Sequence, residues 1–182
     1  VPAQAPEFVR RVTAELLAGR GDLLPVSALP VDWAFPAGTA LFEKRNIALE
    51  IPIWDEQWCI QCNKCAFVCP HTAIQVKAYP EAALDGAPEG FPSLEYRGGE
   101  FPERSRYTVQ VAPEDCTGCG LCVEVCPAKN KTETRLKAIN MEPQVPHRDR
   151  ERERFAFFLG LPQADRARVH RHTVKGSQFL EP

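Results

Sequence analysis

The sequence predicts an α+β fold, and three observations support this class. A cysteine-rich motif occurs twice, and each copy follows a short stretch with the alternation typical of a β-strand. Helices are predicted near both ends of the chain, over residues 7–18 and 148–159. With 182 residues, the chain is long enough for one ordinary domain with extensions.

Residues 1–50 are predicted to form a helix followed by an extended arm. Phe8, Val12 and Leu16 are spaced as on one face of a helix, and the glycines that follow end it. Over residues 23–53 several prolines exclude a long helix, so we expect an extended segment there.

The central domain is predicted to span residues 51–145. Residues 80–106 interrupt it with a loop insertion that is rich in proline, glycine and acidic residues, and we expect this loop to be solvated. Strands are predicted over residues 47–53 and 106–111, and a polar helix over residues 129–137.

Residues 146–182 are predicted to form a helix and a linker to a further domain. The chain begins with Val1 and its one methionine is Met141. We therefore expect the sequence to be a segment of a longer polypeptide.

All eight cysteines belong to one repeated motif with the pattern C-x2-C-x2-C-x3-C-P. The first copy contains Cys59, Cys62, Cys65 and Cys69, and the second contains Cys116, Cys119, Cys122 and Cys126. This spacing is that of the thiolate ligands in ferredoxins with two [4Fe–4S] clusters, where the fourth cysteine of each copy binds the other cluster. The fold prediction is therefore a bacterial-ferredoxin-like domain with a pseudo-twofold βαβ repeat.

The predicted ligand assignment is crossed between the two copies. Cluster one takes Cys59, Cys62, Cys65 and Cys126, and cluster two takes Cys116, Cys119, Cys122 and Cys69. We expect the tight loops between the cysteines of each copy to direct backbone N–H groups at the inorganic sulfides of the clusters. The fourth cysteine of each copy is expected to begin a helix, with Pro70 and Pro127 in its first turn.

The residues between the cysteines differ in the two copies. Gln61 and Asn63 stand where the second copy has Gly118 and Gly120, so the two clusters need not be equivalent. Apolar neighbours are expected to keep water off both clusters: Ile60, Phe67, Val68, Leu121, Val123 and Val125.

Two other uses of the cysteines are open. A disulfide framework is disfavoured because the spacing is too short for several clean bridges and because no secretory signal is present. Structural zinc usually binds two C-x2-C pairs separated by a longer gap, and it would leave one cysteine of each copy unused. Two [4Fe–4S] clusters account for all eight cysteines.

The sequence is consistent with two roles for each of three residues near the cysteines. Trp54 and Trp58 either shield a cluster or pack in the core, and core packing is favoured. His71 either tunes a cluster or lies on the surface, and a surface position is favoured.

The rest of the sequence excludes several classes of function. The formal net charge of −2 argues against a general role in binding nucleic acid, and the alternating charges of residues 148–154 fit a solvated helix with ion pairs. No stretch approaches the roughly 20 apolar residues of a membrane span. No constellation of catalytic residues is evident, so we expect electron transfer and neither nucleic-acid nor membrane partners.

The sequence before the cysteines resembles that of a known family. Residues 38–48 (GTALFEKRNIA), followed by Ile51-Pro52 and Trp54, are similar to the Glu-Lys-Arg segment of pyruvate:ferredoxin (flavodoxin) oxidoreductases, which precedes a two-cluster domain there. Residues 24–28, 111–116 and 174–179 look like that family too, and the resemblance covers roughly residues 23–182. Trp33 departs from it, because the family more often has a small residue there.

The resemblance implies a role in an enzyme that cleaves a 2-oxo acid with coenzyme A, giving acyl-CoA, carbon dioxide and two electrons. This segment would carry those electrons from a thiamine diphosphate site to ferredoxin or flavodoxin. Thiamine diphosphate, Mg²⁺ and a third cluster are expected only in the remaining domains of the parent enzyme. A cytoplasmic location is expected, since such clusters need a reducing compartment. The alternatives are a free-standing dicluster ferredoxin and an iron–sulfur subunit of another redox complex.

Overall fold

The computed structural model describes residues 1–180, which form two units with the division between Arg45 and Asn46. The domain boundaries predicted from the sequence, at residues 50 and 145, stay predictions. Within residues 1–180, no helix is both long and apolar enough to cross a membrane.

The first unit, Val1–Arg45, consists of short helical segments. A π-helix, Val9–Thr13, continues into helix α1, Ala14–Leu17, so the predicted N-terminal helix is present. Val12 is buried as the spacing suggests and Val9 is buried beside it, but Leu16 is exposed. The predicted extended arm is broken by 3₁₀ turns at Gly21–Leu23, Val26–Ala28 and Thr39–Phe42.

The second unit contains two small antiparallel sheets. Strands β1 (Glu50–Trp54) and β5 (Ile139–Pro143) form one sheet, with Trp54 opposite Ile139. Strands β2 (Ile74–Pro80), β4 (Ser105–Val111) and β3 (Leu94–Glu95) form the other, in the order β2-β4-β3. Buried aliphatic side chains from both sheets form one core: Ile51, Ile74, Val76, Val109, Val111 and Ile139.

The helices of this unit are α2 (Lys64–Phe67), α3 (Leu121–Glu124), α4 (Gln144–Gly160) and α5 (Val174–Ser177). The remaining 3₁₀ turns are Glu56–Trp58, Glu81–Leu84 and Gln178–Leu180. Each cysteine motif lies between two strands with a short helix inside it, giving β1-α2-β2 and β4-α3-β5. This pseudo-twofold arrangement confirms the predicted α+β, ferredoxin-like fold.

The prediction that the fourth cysteines begin helices is wrong. Helix α2 ends at Phe67 and α3 ends at Glu124, so both helices stop before the fourth cysteine of their copy. The amide N–H of Cys69 bonds to the carbonyl of Ala66 in a tight turn, and Cys126 makes the equivalent bond to Val123. The proline after each fourth cysteine therefore lies beyond the helix, where its missing N–H costs nothing.

The insertion at residues 80–106 is more ordered than the predicted solvated loop. Strand β3 extends the sheet, and Tyr96 is buried with its ring edge-on to Phe101 at a centroid distance of 4.9 Å. The aromatic residues among the acidic ones account for this, because they bury enough apolar surface to fix part of the loop.

The predicted polar helix over residues 129–137 is also absent. Lys129 and Lys137 form an isolated β-bridge, and the Asn130 side chain accepts hydrogen bonds from the N–H groups of Thr132 and Glu133. Asparagine side chains compete in this way with helical hydrogen bonds, which turns the segment into a loop.

A buried lysine closes the end of helix α4. The Lys77 ammonium donates to the carbonyl oxygens of Phe158, Leu159 and Leu161 at 2.9, 3.1 and 2.8 Å. A cation at a helix C-terminus is favourable because the terminal carbonyls carry partial negative charge. Burial lowers the pKa of Lys77, but the three carbonyls give its charged form direct partners.

Replacing Lys77 by methionine is expected to loosen the last turn of α4. The substitution keeps the buried stem but leaves three carbonyl oxygens without their donor, at a cost of about 2 kcal/mol, or about 30-fold in the local opening equilibrium. Amide hydrogen exchange at residues 158–161 measures this opening. The exposed Lys131→Met serves as the control, and equal exchange in both variants would contradict the capping role.

Candidate metal centres

The structure brings four cysteines of the two motifs together around a first, partly open cavity. These cysteines are Cys59, Cys62, Cys65 and Cys126. Trp54, Tyr107 and Ile139 form part of the apolar wall. Three of the cysteines come from the first motif and the fourth from the second.

A second, partly open cavity has the reciprocal composition. Its cysteines are Cys116, Cys119, Cys122 and Cys69, so here the first motif supplies the fourth thiol. Ile74 and Met141 contribute apolar surface, and His71 also lies along the wall. His71 is exposed, as the favoured reading of the sequence has it.

The two motifs place a backbone donor on the sulfur of their first cysteine. The N–H of Gln61 bonds to Cys59 Sγ at 3.4 Å, and the N–H of Gly118 bonds to Cys116 Sγ at the same distance. Hydrogen bonds of this kind stabilise negative charge on sulfur, which a thiolate ligand needs.

Left-handed backbone makes these loops possible. Gln61 and Asn63 have φ values of 58° and 60°, and Gly118 and Gly120 have nearly the same conformation at 71° and 74°. A Cβ atom on Gly118 would lie 3.2 Å from the carbonyl oxygen of Glu50, whereas one on Gly120 would meet no atom within 4 Å. Position 118 of the second loop therefore favours glycine for space as well as for conformation.

The side chains of Gln61 and Asn63 are completely buried and hydrogen-bonded. Gln61 donates to the carbonyl of Glu95 and accepts from the N–H of Arg97, both at 2.7 Å. Asn63 donates to the carbonyl of Lys175 at 2.7 Å and accepts from the Tyr107 hydroxyl at 2.8 Å. The difference between the motifs at these positions is visible in the sequence, but their role in anchoring the first loop is not, because the partners Glu95 and Lys175 are distant in sequence.

Burial raises the pKa values of several of the cysteine thiols. It raises the pKa of Cys122 to about 12, and it also raises the pKa of Cys59, Cys65 and Cys116. Desolvation disfavours a thiolate that has no cation beside it. Metal binding at these cavities must therefore displace protons from the thiols.

The predicted apolar shield is incomplete. Ile60, Phe67 and Leu121 are 54%, 57% and 45% exposed, and Cys119 is exposed as well. The other three predicted neighbours, Val68, Val123 and Val125, are half-buried. Each motif thus leaves an apolar residue at the surface close to its cysteines.

The residues present fit iron–sulfur clusters. All eight cysteines are free thiols, four at each cavity. Trp54 Nε1 is buried in the wall of the first cavity, and its N–H acts on Cys59 as a donor that lowers the pKa of this thiol, against the larger rise that burial causes, so sulfur is its natural acceptor. Within residues 1–180, no group of three or more His, Cys, Asp or Glu side chains is arranged to hold a single metal ion.

The fold and the paired cavities define the class as a two-cluster iron–sulfur domain. Residues 58–130 match the 4Fe-4S dicluster domain, and residues 1–48 match the EKR domain, a domain of unknown function.

Known proteins with similar sequences are pyruvate oxidoreductases. The whole chain is 51% identical to a putative pyruvate-flavodoxin oxidoreductase of Synechocystis, and 98% of it is 51% identical to the pyruvate-flavodoxin oxidoreductase of Nostoc. The pyruvate:ferredoxin oxidoreductase of Moorella thermoacetica is 42% identical over 98% of the chain. The chain spans 15% of the length of each of these relatives. The predicted resemblance is thus confirmed: the chain is similar throughout to one segment of the pyruvate:ferredoxin and pyruvate-flavodoxin oxidoreductases.

Substitution of Gly118 by alanine is expected to weaken the second centre more than the same substitution at Gly120. Both variants place a side chain in left-handed backbone, which costs about 1 kcal/mol. Gly118→Ala also forces a close contact with the Glu50 carbonyl, whereas Gly120→Ala has free space. The rate of iron loss to a chelator from the reconstituted protein measures the difference. Equal rates would show that the close contact at Gly118 is relieved without cost.

Proposed function

We propose that this chain is the electron-transfer segment of a pyruvate:ferredoxin or pyruvate-flavodoxin oxidoreductase and that it relays electrons through two [4Fe–4S] clusters. The observation that carries this proposal is the pair of cavities with four cysteines each, in a chain that is similar throughout to such oxidoreductases. The similarity includes the EKR domain at residues 1–48, which favours an enzyme segment over a free-standing ferredoxin.

The proposed ligands are crossed between the motifs. Cluster one is held by Cys59, Cys62, Cys65 and Cys126, and cluster two by Cys116, Cys119, Cys122 and Cys69. The composition of the two cavities supports this assignment. Three closely spaced thiolates bind one side of each cluster, and the fourth reaches it from the other motif.

The bound clusters would supply one-electron redox chemistry. The protein's own groups would support this one-electron chemistry in three ways. The N–H groups of Gln61 and Gly118 stabilise charge on sulfur, and the buried core side chains exclude water from the inner walls. Helix α2 carries Cys65 and helix α3 carries Cys122, and the contact between these two helices holds the two centres near one another.

The proposed electron source and acceptor lie outside this chain. By similarity to its relatives, the parent enzyme oxidises a 2-oxo acid such as pyruvate, with thiamine diphosphate, Mg²⁺ and a third cluster in its other domains. Flavodoxin or ferredoxin is the proposed acceptor, because the names of the relatives specify one or the other. The proposed compartment is the cytoplasm.

Iron analysis and EPR spectroscopy test the proposal. Anaerobically reconstituted protein is expected to bind about eight Fe per chain, and after reduction with dithionite it should show interacting S = 1/2 signals. Apo-protein and a chelator-treated sample serve as controls. Binding of one zinc without any paramagnetic signal would contradict it.

A pair of cysteine variants tests the crossed assignment. Cys126→Ser is expected to destabilise cluster one, which would expose Cys59, Cys62 and Cys65 to alkylation while the second motif stays protected. Cys69→Ser is expected to expose the second motif instead. Mass spectrometry of the alkylated peptides gives the result. If each variant exposes the cysteines of its own motif, the ligands are not crossed.

A further inference from the structure

A short strap of chain, residues 46–50, lies against the second cysteine loop. The strap leads into strand β1, and its buried Ala48 faces Gly118. A Cβ atom on Gly118 would lie 3.5 Å from Ala48 Cβ and 3.2 Å from the carbonyl oxygen of Glu50. The strap and the loop can approach each other this closely because the residues that meet are alanine and glycine.

A buried glutamine ties this strap to the segment that precedes Cys116. The Gln144 side chain is 4% exposed, and its Nε2 donates to Asn46 Oδ1 at 2.7 Å and to the carbonyl of Pro113 at 3.0 Å. The backbone N–H of Gln144 donates to the carbonyl of Leu49 at 2.8 Å. One residue thus holds the strap at two points and also holds the turn that leads into the second motif.

Asn46 strengthens the same contact from the side of the strap. Its backbone N–H donates to the carbonyl of Glu114, two residues before Cys116, at 3.1 Å. The backbone of Asn46 is left-handed, with a φ value of 51°, a conformation that asparagine adopts more readily than most residues. Gln144 and Asn46 together form a hydrogen-bonded clamp between the strap and the turn before the second motif.

The two cysteine loops are therefore held in different ways. The first loop is anchored by its own buried side chains, those of Gln61 and Asn63. The second loop has glycines at these positions, and the strap packs against one of them, Gly118. The N–H of Gly118 donates to Cys116 Sγ at 3.4 Å. The residue that the strap contacts is thus also the donor to a sulfur of the second cavity.

We propose that Gln144 and Asn46 are positioning residues for cluster two: they hold the strap against the second loop and so keep the Gly118 N–H directed at Cys116 Sγ. This inference rests on the proposed ligation of two clusters. A hydrogen bond to a ligand sulfur stabilises the negative charge that reduction adds, so the clamp makes the reduction potential of cluster two less negative. Residues 46–48 are the last three of the match to the EKR domain, and the clamp gives this end of the domain a role at cluster two.

A redox titration of Gln144→Met tests this proposal. Methionine keeps an unbranched side chain of similar size but cannot donate to Asn46 or Pro113, so the second loop is expected to loosen. At a fixed potential, the ratio of reduced to oxidised cluster two is expected to fall by about threefold, since the Gly118 hydrogen bond is weakened and not lost. This ratio corresponds to about 28 mV for a one-electron couple. Cluster one is expected to be unchanged. The two clusters are distinguished by the paramagnetically shifted NMR signals of the cysteine β-protons, assigned by selective labelling.

Hydrogen exchange of the reconstituted protein gives a second readout. Exchange at residues 117–120 is expected to be faster in Gln144→Met, whereas exchange at residues 60–63 of the first loop is expected to stay the same. Gln163→Met removes an amide from an exposed position and serves as the control, with neither exchange nor potential changed. An unchanged potential of cluster two, or an equal shift of both clusters, would overturn the proposal, because a purely structural role of Gln144 would not act on cluster two alone.

Asn46→Gly provides a second route if Gln144→Met fails to bind its clusters. Glycine accepts the left-handed backbone and keeps the N–H donor, but it removes the oxygen that accepts from the Gln144 side chain. The potential of cluster two is expected to become more negative by a smaller amount than in Gln144→Met, and an unchanged value would refute the positioning role. An iron count on the unmodified chain separates the two hypotheses. Absence of iron contradicts the proposed function, whereas about eight Fe without a potential shift in the variants contradicts only the role of the clamp.

Discussion

The constraint on which this structure depends is that cysteines distant in sequence must meet at the same cavity. Cys126 lies with the thiols of the first motif, and Cys69 lies with those of the second. Neither motif completes a cavity alone, so the two βαβ halves have to fold against each other. The pairing of β1 with β5 and of β2 with β4 meets this requirement, because each sheet takes one strand from each half. The pairing of strands from the two halves therefore also brings the cysteines of the two motifs to the same cavities.

The sequence was sufficient for the features that depend on local spacing. The repeated cysteine pattern predicted the ferredoxin-like fold, and regular apolar spacing predicted the N-terminal helix and the strand over residues 106–111. The helix predicted over residues 148–159 is also present, although it begins earlier, at Gln144. The ion pairs expected on it occur, with Arg154 3.0 Å from Glu151 and Arg152 3.2 Å from Asp149. These signals are local, so they can be read without knowing which segments meet.

What the sequence did not reveal depends on contacts between distant segments. Asn63 and Lys175 are 112 positions apart in the sequence, and no local pattern near either residue predicts the hydrogen bond between them. The role of Lys77 as a helix cap could not be predicted either. The three carbonyl groups that it binds lie about 80 positions later in the sequence, and a lysine in a strand does not indicate them. The ordered structure of residues 80–106 was not predicted for a related reason. Tyr96 packs against Phe179, which belongs to the C-terminal segment and is distant in sequence.

The Lys77 cap also bears on how the length of this chain could vary during evolution. Lys77 holds the chain at Leu161, and Asn63 holds it again at Lys175, so both ends of the intervening stretch are fixed independently. Between them, the turn over residues 165–168 is exposed. Extra residues in such a turn cost little, since doubling the length of a loop adds only about 0.6 kcal/mol of closure entropy. Insertions there would leave α4, α5 and both cysteine loops in place, which makes this turn a natural site for divergence between relatives.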